Sequence, residues 1–348
     1  MALELLDLPS EILALVFRHL RAYGLHSTLA VSKQWKAVAE PVAYEYARLP
    51  LMRRDVSNEP WNLPTRTLGL IRKYNQHLAV LLPSYTIRDE VHPGEQLAKH
   101  PMQQRVQWLD QELLSRLTRP KSVSIRRGSP LPGGELKWIG LSTAGNDQYL
   151  RVSLHDILPV INTLTAMSTL TFVGIDLRPK DLDQSSVAAD GHDCLCKDLG
   201  ALMRRTMTFY LRLPCICPKI FQAPPHQPES MSGSTEAVIN ISMGFDDDLE
   251  IEHATGCPQT MGGNKSVNPA SMQEAARAVV EKTPSIKTLR IVYHTYPMGD
   301  AEAYDAVSKQ RYRVSEQSWT EHGSLLDIND ASDSDLFDDV DIFSDSTQ

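Results

Sequence analysis

Near the N-terminus, Ile12, Leu13, Val16, Phe17 and Leu20 recur at helical spacing and predict a helix with a wide apolar face. Pro9 is tolerated at a first helical position because its missing N–H would lack an intrahelical partner there. Ser10 is an alternative N-cap, and the two readings differ by one residue. Glu11 then sets a negative charge at the positive end of the helix dipole. Gly24 breaks the run, and Leu25, Leu29, Ala30 and Val31 predict a second, short helix. Ser32 starts a third, with Trp35, Val38 and Ala39 on one side, before Pro41 interrupts it. A module of fewer than about 50 residues buries little core of its own. Its spare apolar surface therefore needs a cover, either the domain behind it or a second polypeptide. A Leu8–Pro9 turn leading into an amphipathic helix presents a groove-filling face, with Lys33 and Lys36 left for the rim.

Further along, residues 47–100 are poorly patterned, with a helix or strand pair around Leu68–Leu82. Met102–Leu117 is a clearer helix, with Val106, Leu109, Leu113, Leu114 and Leu117 at three- and four-residue spacing and Pro120 as its stop. A strand follows in KSVSIRR, with Val123 and Ile125 on one face. The helix-then-strand unit recurs. SLHDILPVINTLTAM opens with Ser153 as cap and Asp156 three residues on, and Pro159 should kink it or delay its start. STLTFVGIDL is the next strand, with Leu170 and Phe172. CLCKDLGALMRR precedes the strand TMTFYLRL. SMQEAARAVVEKT carries a capping box, Ser271 with Glu274, and leads to SIKTLRIVYHT with Ile286, Leu289 and Ile291. TEAVINISMG is a strand with no evident helix before it. Strand centres near 124, 171, 209, 239 and 290 are too irregular for a strict repeat but suit parallel strands joined by long crossovers. Three segments rich in Gly, Pro and Ser, 185–192, 223–236 and 253–270, are expected to be inserted loops without a packed role.

Composition adds two points. The 42% hydrophobic content of the 348 residues supports a real core, and the length suggests two domains. The net charge of −8 is unevenly placed: nine of the 43 acidic residues lie at 321–348, where there is no Lys or Arg, so the rest of the chain holds 34 acids against 35 bases. The body is near neutral, which does not favour a nucleic-acid-binding surface. The tail, residues 316–348, is expected to be disordered. Its VDIF segment loosely resembles a SUMO-interacting motif, and Ser332 with Asp335 and Ser324 with Asp327 have the spacing favoured by acid-directed kinases. MALELLDLPS has no basic region of the kind that opens a signal peptide, and no apolar stretch reaches the ~18–20 residues of a membrane span. An odd count of five cysteines fits reduced thiols in cytoplasm or nucleus. The sequons at Asn240 and Asn264 carry no meaning without secretion.

Candidate chemistry is sparse. His192, Cys194, Cys196, Cys215 and Cys217 suggest zinc, because two C-x-C pairs supply four thiolates if their segments meet. C-x-C is less usual than C-x₂-C in structural sites, and cysteines at the end of an apolar strand ordinarily behave as small hydrophobes. The expectation is therefore buried thiols without metal. GCPQTMGGNKS departs from a phosphate loop because Asn264 separates the last Gly from Lys265. No nucleophile elbow, zinc-protease helix or dinucleotide fingerprint is present, and the 11 histidines are scattered. No catalytic residue and no cofactor is assigned.

The first 46 residues resemble the F-box, the segment by which substrate receptors of SCF-type ubiquitin ligases dock on a Skp-family adaptor. The matching positions are Leu8, Pro9, Glu11, Ile12, Leu13, Val16, Phe17, Leu20, Leu29, Val31, Ser32, Lys33, Trp35, Ala39, Pro41 and Tyr44. The body is similar to leucine-rich-repeat receptors, although no segment gives the full L-x-x-L-x-L-x-x-N pattern. Its phrases LRLPCICPKIF and KTPSIKTLRIVYHTYP also look like those of filamentous-fungal F-box proteins, which implies an architecture and an organism group, not a substrate. The expected fold is mixed α/β: a three-helix F-box at 1–48, a connecting region at 49–100, an irregular repeat-like solenoid at 101–315 and the acidic tail. The resemblance implies a non-catalytic receptor that bridges the adaptor, and through it a cullin–RING ligase, to a protein substrate. Leu8, Pro9, Ile12, Leu13, Val16, Phe17, Leu20, Val31 and Trp35 would meet the adaptor, although some of them must hold the module together instead. The competing expectation is an F-box scaffold or nuclear regulator acting outside a ligase through the tail. Neither membrane nor nucleic acid is expected as a partner.

Overall fold

The computed structural model describes residues 8–20, 25, 27–50, 64–82, 101–127, 152–177, 182–183, 194–222, 234–243, 253–257, 266–294 and 301–314. The acidic tail, with its VDIF and serine motifs, lies outside them, as do His192, Asn264 and Lys265.

Helix α1 (Ser10–Arg18) starts with Pro9 at the N-cap position, with no side chain capping it. Of the second short helix, Leu25, Ser27 and Thr28 are helical. Helix α2 (Lys33–Ala43) is capped as expected: Ser32 Oγ accepts the Trp35 N–H at 3.1 Å. Pro41 does not end it. Near a helix's C-terminus a proline removes one hydrogen bond, and here α2 runs on for two more residues.

Tyr44 and Glu45 lead straight into a nine-stranded sheet whose strand order is the chain order. The strands are β1 (Tyr46–Pro50), β2 (His77–Leu82), β3 (Ser122–Arg127), β4 (Phe172–Asp176), β5 (Thr208–Arg212), β6 (Glu236–Asn240), β7 (Thr288–His294), β8 (Ala301–Asp305) and β9 (Arg311–Val314). β1 to β7 are parallel to one another, and β8 and β9 finish the sheet as antiparallel strands. The sheet thus begins at Tyr46, inside the residues expected to close the first module, and takes in part of the expected connecting region.

The register builds the core. Ala47, Leu78, Val123, Val173, Phe209, Ala237 and Leu289 pair in one rung, and Leu49, Val80, Ile125, Ile175, Leu211, Ile239 and Ile291 in the next but one. All face the same way because side chains alternate along a strand, and all are buried. In β4 the inward residues are Val173 and Ile175. Phe172 lies on the opposite face, its ring centroid 5.6 Å from that of Tyr210.

Helices fill the crossovers: α3 (Thr65–Tyr74), α4 (Pro101–Trp108), α5 (Leu154–Ala166), α6 (Cys196–Arg205) and α7 (Pro269–Lys282). α4 continues through a π turn (Leu109–Leu113) and a 3₁₀ turn (Leu114–Arg116), which bury Leu109, Leu113 and Leu114 together. Pro159 sits within α5, which starts at Leu154, so the proline neither delays nor ends it. The capping box expected in α7 is replaced: Pro269 is the first helical residue, and Asn268 Oδ1 accepts the Ala270 N–H at 2.9 Å. Ser271 Oγ instead donates to the Asn268 carbonyl. Between β5 and β6 the described crossover holds a 3₁₀ turn, Pro218–Phe221.

The expectation that 253–270 has no packed role is corrected at both ends. Ala254 and Val267 are buried. The Ala254 N–H donates to the Ile241 carbonyl, the Thr255 N–H to Pro214, and Thr255 in turn accepts the Ile216 N–H. Thr255 bridges Cys215 on one side and Ser266 on the other. These partners are distant in sequence, which is why local Gly and Pro content misjudged the segment. Likewise Ser234, expected in a loop, is buried, and Glu236 begins β6.

Candidate functional site

The N-terminal module has a small core separate from that of the sheet. Leu13, Phe17, Leu25 and Ala39 are buried in it, packed by Leu8, Leu29, Trp35, Val38, Val42 and Ala43. The Phe17 and Trp35 rings meet edge to face with centroids 5.3 Å apart. Ala43 also touches the main core, so α2 joins the two. Arg66 of α3 pairs with Glu40 at 3.3 Å, and Arg18 with Glu45 at 3.6 Å. Both arginines are more than half exposed while their carboxylate partners are partly buried, and pairs this open to solvent contribute little.

The nine residues expected at an adaptor interface divide into two groups. Leu13 and Phe17 are spent on the module's own core, and Leu8 and Trp35 are half-buried against it. Pro9, Ile12, Val16, Leu20 and Val31 are exposed, at 44% for Ile12 and 54% for Val31. Leu15, at 53%, belongs with them and was not singled out, although its position three residues after Ile12 and five before Leu20 was open to inspection. At about 100° per residue, Leu15, Ile12, Val16, Leu13 and Phe17 span roughly 200° of α1. Only the Leu13–Phe17 end of that arc is covered. The rest forms an apolar stripe on a surface helix, and Leu20 and Val31 are exposed as well.

The cysteines form the second constellation. All five are buried and unbonded to one another. Cys194 just precedes α6 and Cys196 begins it, Cys215 and Cys217 follow β5, and Cys257 comes from the segment bridged to Pro214 and Ile241. Cys194 Sγ is 3.0 Å from Cys257 Sγ and 3.3 Å from Cys217 Sγ, while Cys196 Sγ is 3.5 Å from Cys257 Sγ. Hydrogen bonds from Cys194 and its neighbours hold the Cys217 thiol well below its ordinary pKa and push that of Cys257 well above it. The two C-x-C pairs therefore do meet. Cys257 had no place in the sequence argument because its partners are long-range.

Asn240 of the first sequon is buried in β6, where its Oδ1 accepts from the Ser242 backbone N–H at 2.8 Å and from its hydroxyl at 2.6 Å. No described helix is long and apolar enough to cross a membrane.

No curated protein matches the chain. Residues 5–44 match the F-box-like family, so the uncovered stripe of α1 lies within an F-box-like domain.

Proposed function

We propose that this protein is the non-catalytic substrate-recognition subunit of an SCF-type ubiquitin ligase, acting in the cytoplasm or nucleus. The observation that carries the reading is an exposed apolar face of α1, Ile12, Leu15 and Val16, with Leu20 and Val31 also exposed, lying inside a match to the F-box-like family. That face would seat on a Skp-family adaptor, with Pro9 setting the entry of the chain and Leu8, Leu13, Phe17 and Trp35 shaping the module from behind. The adaptor would link the chain to a cullin and a RING subunit. Catalysis then needs no group on this protein: holding the substrate raises the effective concentration of its lysines beside a ubiquitin thioester made elsewhere.

The α/β body is read as a degenerate, leucine-rich-repeat-like solenoid that holds the substrate. Seven parallel strands in chain order support this, because crossovers of one hand between successive neighbours stack their helices on one side of a sheet. Affinity capture of the full chain from cells with the proteasome inhibited tests the function. Recovery of adaptor and cullin together is expected. Adaptor without cullin would favour a scaffold outside the ligase, and absence of adaptor would remove the reading altogether.

A further inference from the structure

We propose that Cys194, Cys196, Cys217 and Cys257 form a closed structural zinc site. Their four Sγ atoms lie within 4.8 Å of one another, and all four residues are buried. Four thiolates bound tetrahedrally at ~2.3 Å from one zinc ion sit about 3.8 Å apart, so the cluster has the dimensions of a single-ion Cys₄ shell. The contacts of 3.0–3.5 Å are far longer than the ~2.05 Å of a disulfide, so the sulfurs gather without bonding in pairs. Among the described residues the cluster offers four soft sulfurs and no oxygen or nitrogen ligand, a set that selects zinc over the hard cations.

The surroundings are those of a thiolate site. The Cys217 N–H donates to Cys196 Sγ at 3.2 Å. Such a donor orients and stabilises metal-bound sulfur. Cys196 is the first residue of α6, where the helix dipole also favours negative charge. The frame is tight as well. A Cβ on Gly200 would come within 2.3 Å of the Ile220 carbonyl oxygen, so α6 lies directly on the turn that follows Cys217. Arg204, buried, clamps the same turn by donating to the carbonyls of Gly200 and Phe221 at 2.9 and 2.6 Å. Against the alternative that these are ordinary apolar core positions stands their convergence: all five cysteines of the chain, from three separate segments, meet at one place. Four protein ligands leave no open coordination position, so the role is to cross-link α6, the turn after β5 and the 253–257 segment, not to catalyse.

Cys215 is the internal control. Its Sγ is 3.8 Å from Cys257, but it stands outside the four mutually close sulfurs. The test uses the full chain purified under reducing conditions without chelator, with zinc measured by atomic spectroscopy and the ion then exchanged for cobalt. About one zinc per chain is expected, and the cobalt form should show thiolate charge-transfer bands and the intense visible bands of tetrahedral cobalt. Cys215→Ser should keep the zinc and Cys257→Ser should lose it. If Cys257→Ser fails to fold, the wild-type stoichiometry and the cobalt spectrum decide. Folded wild-type protein without zinc and with five titratable thiols, disulfides among these cysteines, or loss of zinc from Cys215→Ser but not from Cys257→Ser would each overturn the site. None of these results depends on the adaptor reading.

Discussion

Leu13 and Ile12 are adjacent in α1 and equally apolar, yet one is fully buried and the other is 44% exposed, so their substitutions should fail in different ways. Leu13→Ala removes packing from the module's small core. It should destabilise the module by about 2–5 kcal/mol, seen as earlier loss of helical signal and faster amide exchange over residues 10–43. Any loss of binding would then be secondary to unfolding. A similar separation applies in the sheet. Asp176 forms a bidentate pair with Arg212 at 2.8 and 3.0 Å, and Arg212 is 3% exposed. Asp176→Ala would leave a buried guanidinium without that partner and should cost about 3–5 kcal/mol in denaturant unfolding. A solvent-edge i, i+4 pair such as Lys36–Glu40 should be worth well under about 1 kcal/mol in the same assay.

Among the elements, α6 and α3 give a matched contrast. Both carry a helical glycine, and a Cβ on Gly69 meets nothing within 4 Å, whereas on Gly200 it meets backbone at 2.3 Å. Gly69→Ala should therefore stabilise by up to about 1 kcal/mol, the ordinary gain from alanine in a helix interior. Gly200→Ala should force α6 away from the Pro218–Phe221 turn and lower the melting temperature. The start of α7 provides another test. Asn268→Ala should cost about 1 kcal/mol through loss of the N-cap, while Glu274→Ala, on an exposed position, should be nearly silent.

That cap also shows where sequence reading stops. The Ser271–Glu274 spacing fitted a capping box, but Asn-Pro three residues earlier offered a better cap with a proline already set for the first turn. The strands β3 to β7 were legible because buried parallel strands are short apolar runs between breakers. β1 was not, because YARLP has only two apolar alternations and follows α2 without a breaker. β8 and β9 were missed for a different reason: AEAYD and RYRV are too polar to read as core strands, and they pair only because β7 offers an edge.

For the whole molecule, the contacts hardest to read were the most consequential. The 253–257 segment resembles a loop in composition, and its burial comes from hydrogen bonds to Pro214 and Ile241 that no local pattern announces. That placement delivers Cys257 to the other cysteines. On the N-terminal module the division runs the other way. The apolar positions were all visible in sequence, but which of them face inward depends on how α1 rolls against α2. The structure leaves Ile12, Leu15 and Val16 outward, and a stripe of that kind on a small domain is expected to be covered in the working assembly.

The most direct measurement is equilibrium binding of a purified Skp-family adaptor to the full chain, comparing wild type with Ile12→Asp/Val16→Asp. Both positions are already exposed, so the variant should keep the wild-type melting profile while adaptor affinity falls by at least about 100-fold, the effect of losing two central apolar contacts. A variant that is folded and binds the adaptor as tightly as wild type would contradict the assignment of this face.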